Sequence, residues 1–318
     1  MKIQDLVAEV STLRYCLTIV KQIGAKMTTP FFEGFSTEFI QTSRGRFHLR
    51  RRGEGAVSLL IHGFPQSHAC WSEIAPGLAK EGEVICIDLL GYGYSDSPKG
   101  DAEHRRYSKQ EMALDCLAVM DTLGIETFSV VGHDRGAFVA CRLALTAAER
   151  VEKLVVMDNL PSFVLWDRIK EDPTFIPHWR TMATADSESM MTKDWIETLM
   201  REHTASLSLD CFPPEAMLQY RDTWANPEQV HAFAEDYRAG AGPDVSLDRH
   251  DYVSGQRVQV PALILWGQAF LGQADEAPVD TWRRTLIPNA VGVEVPGGHF
   301  NAEEAPIETL AALRKFLQ

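Results

Sequence analysis

Asp134 stands at the centre of Gly132-His-Asp-Arg-Gly136, directly after the β-branched pair Val130-Val131 and directly before an apolar, helically spaced run. A strand, a sharp turn and a helix in that order, with glycines on both sides of the central residue, spell a nucleophile elbow. The commoner elbow carries serine, an alcohol that needs a base before it can attack. An aspartate is already ionised at neutral pH. A carboxylate held at such a turn suits attack on a saturated carbon, with an ester to the protein as the intermediate.

That ester must then be hydrolysed, and the water that does so needs a base that titrates near neutrality, which is the work of histidine. His299, in Pro296-Gly-Gly-His-Phe300, follows the last extended run in a glycine-rich turn and is the expected general base. A base of this kind needs an acid to fix its tautomer. Asp158, at the end of the run Leu154-Val-Val-Met157, is favoured for that role over Asp275 and Glu276, which follow a later strand. Charge on the ester carbonyl calls for an oxyanion hole, for which the backbone N–H groups of Phe64 and Arg135 are the expected donors. His62 and His133 are read as braces for their turns.

The elements that must position these residues alternate between short apolar runs and helical segments. This is the signature of a mostly parallel sheet covered on both faces, an α/β fold. Strands are expected at 38–41, 47–51, 57–61, 84–88, 128–131, 154–157, 262–265 and 291–295, and helices at 108–123, 137–148, 278–286 and 302–316. Residues 161–260 break the rhythm with Trp, Met and Pro at helical spacing and read as an inserted helical cap, so the core comprises 30–160 and 261–318. Ligands of such sheets sit beyond the carboxyl ends of the strands. The candidate residues cluster there: His62 to Pro65, Asp88 to Ser95, Asp134, Asp158 and His299.

The chain has 318 residues, 45% of them hydrophobic, and a formal charge of −13, which argues against nucleic acid or an anionic membrane as partner. Six scattered cysteines without C-x-x-C pairing suit buried thiols in a reducing cytoplasm, and no apolar run approaches the roughly 20 residues of a membrane span. Residues 1–29 differ: Ile3, Leu6, Val10, Leu13, Leu17 and Val20 repeat at alternating spacings of three and four. They read either as a helical extension or as sequence upstream of a start at Met27. Neither a dinucleotide nor a P-loop motif is present, nor is a H-E-x-x-H metal pattern, so no cofactor is expected.

Together, His62-Gly-Phe-Pro-Gln66, Gly91-Tyr-Gly-Tyr-Ser95, Gly132-His-Asp-Arg-Gly136 and Gly297-Gly-His299 resemble the α/β-hydrolase superfamily. Within it they are most similar to the branch of dehalogenases and epoxide hydrolases with an aspartate nucleophile, the fluoroacetate (haloacetate) dehalogenases above all. The resemblance runs from about Pro30 to the C-terminus. It implies an eight-stranded sheet, hydrolysis of the carbon–halogen bond of a small haloacid, a halide pocket from His178, Trp179 and Tyr237, and a homodimer. It also implies that Arg135 binds the substrate carboxylate. The family's second arginine is replaced by Phe138, which makes a longer or more apolar halogenated substrate a candidate too. Two alternatives share these residues: an epoxide hydrolase with Tyr237 and either Tyr220 or Tyr252 as ring-opening acid, and a hydrolase-fold receptor without turnover.

Overall fold

The computed structural model describes residues 31–318. The N-terminal repeat of apolar residues, Cys16 and Met27 all lie outside the described residues. Gly34–Gln318 form one compact unit, built on an eight-stranded sheet in the order β1-β2-β4-β3-β5-β6-β7-β8. The strands are β1 (Ser36–Thr42), β2 (Gly45–Arg52), β3 (Val57–Ile61), β4 (Glu83–Ile87), β5 (Phe128–His133), β6 (Val151–Met157), β7 (Ala262–Gly267) and β8 (Val291–Val295). Only β2 runs against its neighbours β1 and β4; the remaining pairs are parallel.

Side-chain chemistry explains the order. Every residue of β5 and β7 is buried, as expected of central parallel strands with helices on both faces. By contrast β1, at one edge, mixes exposed and half-buried residues, with Ser36, Thr37 and Gln41 as well as Phe39 exposed and no residue fully buried. The helix Lys109–Thr122 begins where Ser108 caps it, its hydroxyl accepting from the Glu111 N–H at 3.3 Å.

Most expected elements form with ends shifted by a few residues, and three shifts have a clear physical reason. The helix after β5 starts at Arg135, not 137, and ends at Thr146, because the elbow occupies a single residue. The segment 302–316 is two helices, Asn301–Glu304 and Pro306–Leu317. Pro306 lacks the N–H needed to continue the first and suits the first turn of the second. Strands β1 and β2 reach beyond their expected ends because they pair with each other from Ser36–Arg51 to Thr42–Gly45.

Between β6 and β7 the chain is helical: Ser162–Glu171, Pro177–Met182, Ser187–Met190, Lys193–His203, Pro214–Trp224, Pro227–Ala239 and Val245–Ser254, with a π-type turn at Gly240–Asp244. Three of these helices open with proline in the first turn. This layer is fastened to the sheet side by polar bonds: the Trp224 indole donates to the Pro65 carbonyl at 2.8 Å, and the Tyr220 hydroxyl to the buried Glu303 at 3.0 Å. Gln66 also donates to Glu303. Among the described residues, no helix is long and apolar enough to cross a membrane. Cys70, Cys86, Cys116 and Cys141 are buried free thiols, and Cys211 is half-buried.

Candidate active site

Asp134 sits where β5 ends and the helix Arg135–Thr146 begins, with φ 47° and ψ −116°. A non-glycine residue in that conformation costs of order 1–3 kcal/mol and persists only where its surroundings over-determine it. They do. Its N–H donates to the Met157 carbonyl at 3.1 Å, and its own carbonyl accepts from Ala137 N–H at 3.0 Å and from the Asn159 amide at 2.5 Å. Gly136 lets this turn approach β3: a β-carbon there would lie 2.3 Å from the His62 carbonyl oxygen. At Gly63 a β-carbon would lie 2.6 Å from Asp134 Oδ2, so any side chain would displace the carboxylate.

The two carboxylate oxygens have different surroundings. Oδ2 accepts the Phe64 backbone N–H at 2.9 Å, while Oδ1 lies 3.9 Å from His299 Nε2. His299 Nδ1 is 2.6 Å from Asp158 Oδ2, and Asp158 Oδ1 takes the Gly267 N–H at 2.9 Å. Asp275 and Glu276, the other acids weighed, do not reach the imidazole; Glu276 bonds Thr281 and Arg284 at 2.8 Å instead. Burial by itself would lower the His299 pKa, but the hydrogen bond and charge of Asp158, with Asp134 and Glu304 behind it, raise it. Burial pushes the Asp158 carboxyl up, against the pull of His299 and Gly267. His133 braces the turn that carries His299, donating Nε2–H to the His299 carbonyl at 2.8 Å. His62 accepts the Leu89 N–H at 3.1 Å and steadies the neighbouring loop.

Above the carboxylate is a small cavity of about 40 Å³, room for roughly three or four water-sized groups. His178, Trp179 and Tyr237 line it together with Asp134, Phe64 and His299. The Tyr237 ring packs edge-on against Trp179 at 5.7 Å and Phe64 at 5.4 Å. Burial, then the charge of Asp134, holds its hydroxyl well above the usual phenol range, so it stays a donor. His178 is half-buried, and burial together with the charges of His203, His299 and Arg135 keeps its imidazole neutral.

Arg135 is placed differently from its expected role at the substrate. Its side chain is 1% exposed, and its Nε (3.0 Å) and Nη2 are both engaged by the Asp236 carboxylate, with Nη2 also donating to the Asp236 carbonyl at 2.8 Å. Lys109 and the Tyr92 hydroxyl bond the same carboxylate. Burial of Asp236 is outweighed by these two cations, which hold its pKa at about 2. The guanidinium lies 4.3 Å from the Tyr237 ring centre and 5.0 Å from that of Trp179, so the cavity wall separates it from the substrate space. Its backbone N–H opens the helix, among the groups that lack an intrahelical partner. Phe138 is buried against Trp179, ring centres 6.0 Å apart, and lines no part of the cavity. Tyr220 is bound to Glu303, and Tyr252 stacks on Phe163 at 5.2 Å, so neither faces the cavity.

Sequence reasoning missed Asn159 and His203. Asn159 follows the orienting acid and could have been sought as a brace for the elbow; His203, at the end of the helix Lys193–His203, had no signal. It also missed a buried group in which Asp88 accepts from His48 Nδ1 at 2.8 Å and His68 Nδ1 at 2.9 Å, and from the His68 and Tyr94 N–H groups at 2.7 and 3.0 Å. This carboxylate stitches the loop after β4 to β2.

An elbow carboxylate, a histidine beyond the last strand and a helical layer over both delimit the relatives this chain can have, and the comparisons agree. Residues 59–306 match the model of the alpha/beta hydrolase fold. A fluoroacetate dehalogenase from Burkholderia sp is 35% identical over 90% of this chain and 95% of its own length. A soluble epoxide hydrolase from Corynebacterium sp. (strain C12) is 26% identical over 85% and 93% respectively. A solved structure from Nostoc sp PCC 7120, assigned to the alpha/beta hydrolases, superposes with a TM-score of 0.86 at 36% identity, covering 90% of this chain and 99% of that one. With its sheet order, its elbow and these matches in agreement, the chain belongs to the α/β-hydrolase family.

Proposed function

We propose that this hydrolase is a dehalogenase that cleaves a carbon–halogen bond through an ester on Asp134. The observation that carries the reading is the line Asp158–His299–Asp134, 2.6 Å on one side of the imidazole and 3.9 Å on the other, beneath a cavity whose walls include the uncharged side chains of His178, Trp179 and Tyr237. Oδ1 attacks the halogen-bearing carbon from the side opposite the halogen. The carbon–halogen electron pair leaves with the halide, whose growing charge is met by His178, Trp179 and Tyr237. Oδ2 becomes the ester carbonyl oxygen, already on the Phe64 N–H.

Water then attacks Asp134 Cγ while His299 Nε2 takes its proton, and the charge developing on Oδ2 falls on Phe64 N–H and the helix start at Arg135. Collapse breaks the Cγ–Oδ1 bond, the departing oxygen takes the proton back from His299 to leave as the alcohol, and Asp134 returns as a carboxylate that holds one solvent oxygen. The similarity to a fluoroacetate dehalogenase makes haloacetates the first substrates to assay. Binding of a haloacid carboxylate by Arg135 would require its guanidinium to leave Asp236 and enter the cavity, which it does not line.

His299→Asn tests the two-step scheme. It permits the first step and blocks the second, so intact-protein mass spectrometry after incubation with chloroacetate or bromoacetate, together with a neutral analogue such as chloroacetamide, shows the substrate mass added at Asp134. No adduct from any compound the wild type turns over would refute it. Epoxide hydrolysis is the second reading, favoured by one observation: Tyr237, whose phenol keeps its proton, and His178, a neutral imidazole with one N–H, face the same cavity. Diol formation from epoxides, without halide release from any organohalide, would select it.

A further inference from the structure

His203 lines the same cavity, its ring 5.1 Å from that of His178, 5.1 Å from Phe270 and 6.0 Å from His299. Its Nδ1 is 2.7 Å from the Leu199 carbonyl, one turn back in its own helix. A carbonyl only accepts, so Nδ1 carries the hydrogen, and in the neutral ring Nε2 is left with a lone pair. Burial and the charge of His299 hold the pKa of His203 down to about 4, so this tautomer persists at neutral pH. The two nitrogens of an imidazole point to opposite sides of the ring. With Nδ1 turned to its helix, Nε2 is turned away from it, and none of the described residues is hydrogen-bonded to it.

The rest of the lining fits a particular kind of ligand. None of the described lining residues is lysine or arginine, whereas Asp134 and Asp158 are both acidic. A substrate carboxylate would face an aspartate and a histidine lone pair with no lysine or arginine among the described lining residues, and the charge of His299 is already matched by Asp158, a desolvated arrangement that costs heavily. A hydroxyl or amide N–H would instead find an acceptor.

We propose that His203 Nε2 is the specificity-determining acceptor for the polar end of the substrate, so that the site takes small neutral organohalides bearing a hydroxyl or amide N–H in preference to haloacids. This rests on the dehalogenase reading for the fate of the halogen, but the recognition itself does not require turnover.

The test therefore uses non-reacting probes on the full chain. Acetamide and acetate are titrated into wild type, His203→Phe and His203→Gln by ligand-observed NMR, and chloroacetamide and chloroacetate are compared in kcat/KM. In wild type the amide is favoured about tenfold, the worth of one buried hydrogen bond. His203→Phe keeps a ring but lacks the acceptor and lowers that preference about fivefold or more. His203→Gln, whose amide can donate to Leu199 and still accept, restores most of it. Acetate binding as tightly as acetamide, neither probe binding, or an amide-to-acid ratio unmoved in His203→Phe would each overturn the proposal. An equal fall in kcat for both chloro compounds with unmoved binding would assign His203 to the water instead, and overturn it too. Absent halide release with the binding ratios as expected would count against the dehalogenase reading and uphold the recognition role.

Discussion

On the proposed scheme, Asp158→Asn separates the two chemical steps and gives a magnitude. In the native site Asp158 uses one oxygen for His299 Nδ1 at 2.6 Å and the other for Gly267 N–H at 2.9 Å. Asparagine has the same shape but one oxygen. If that oxygen stays on Gly267, its NH₂ faces Nδ1, which must then accept, and the imidazole proton moves to Nε2, where it faces Asp134 as a donor and not as a base. If the oxygen turns to His299, two donors confront each other at Gly267. Either way a charge-assisted bond to the imidazolium is lost, worth about 1.5–3 kcal/mol, or about 10- to 150-fold in rate. Only ester hydrolysis uses the base, so rapid-quench assays show a halide burst near one per protein at the native rate, followed by a slow phase. The acid limb of the pH profile for hydrolysis moves to lower pH because an anion beside His299 is gone. A steady state as fast as wild type, or a burst slowed as much as the second step, would refute the reasoning.

The pH profile itself has a definite sign. His299 is raised above its ordinary 6.5, and it works as a base only when neutral, so ester hydrolysis falls as pH drops through a value above 6.5; a limb below 6.5 by single-turnover kinetics would contradict this. The same raised value contributes stability that is full below the unfolded pKa and lost as pH rises through the folded one, visible as a fall in unfolding free energy that Asp158→Asn abolishes. Tyr237→Phe removes a donor to the leaving group and should slow the halide burst on the order of a hundredfold, with hydrolysis of the ester unchanged; a native burst rate would remove Tyr237 from the first step. Phe138→Arg, the substitution that rebuilds the family's pair of arginines, puts a second guanidinium into a buried position beside Arg135, whose carboxylate partner already serves two cations. It should cost about 3 kcal/mol or more in denaturant unfolding without tightening acetate binding, and an unchanged midpoint would refute the buried placement of Phe138.

The strands were legible because burial on both faces writes them as uninterrupted apolar runs, as in Val130-Val131 and Leu263-Ile-Leu265. The elbow was legible because close packing demands glycine at fixed offsets. Arg135 was legible as a residue type but not in its placement: the acid that binds it lies 101 residues away on the helix Pro227–Ala239, and nothing local marks that pairing. Sequence separation also hid Asn159, whose carbonyl partner lies 25 residues back at Asp134, and the group around Asp88, assembled from β2 and the loops after β3 and β4; His203 bonds within its own helix, and only the folding of that helix over the sheet brings it to the cavity. Helical spacing announced the layer between β6 and β7, yet its internal breaks follow from prolines and tertiary contacts, not from periodicity.

The joint formed by Trp224, Tyr220, Gln66 and Glu303 reaches within one residue of Phe64, whose N–H donates to the Asp134 carboxylate, and lies four residues along the chain from His299. Stiffness of the roof and alignment of the reacting atoms therefore share one mechanical origin. Warming that unlocks this corner slackens the catalytic geometry before the sheet itself melts, so loss of turnover should precede loss of secondary structure, and a change that tightens the corner should protect both.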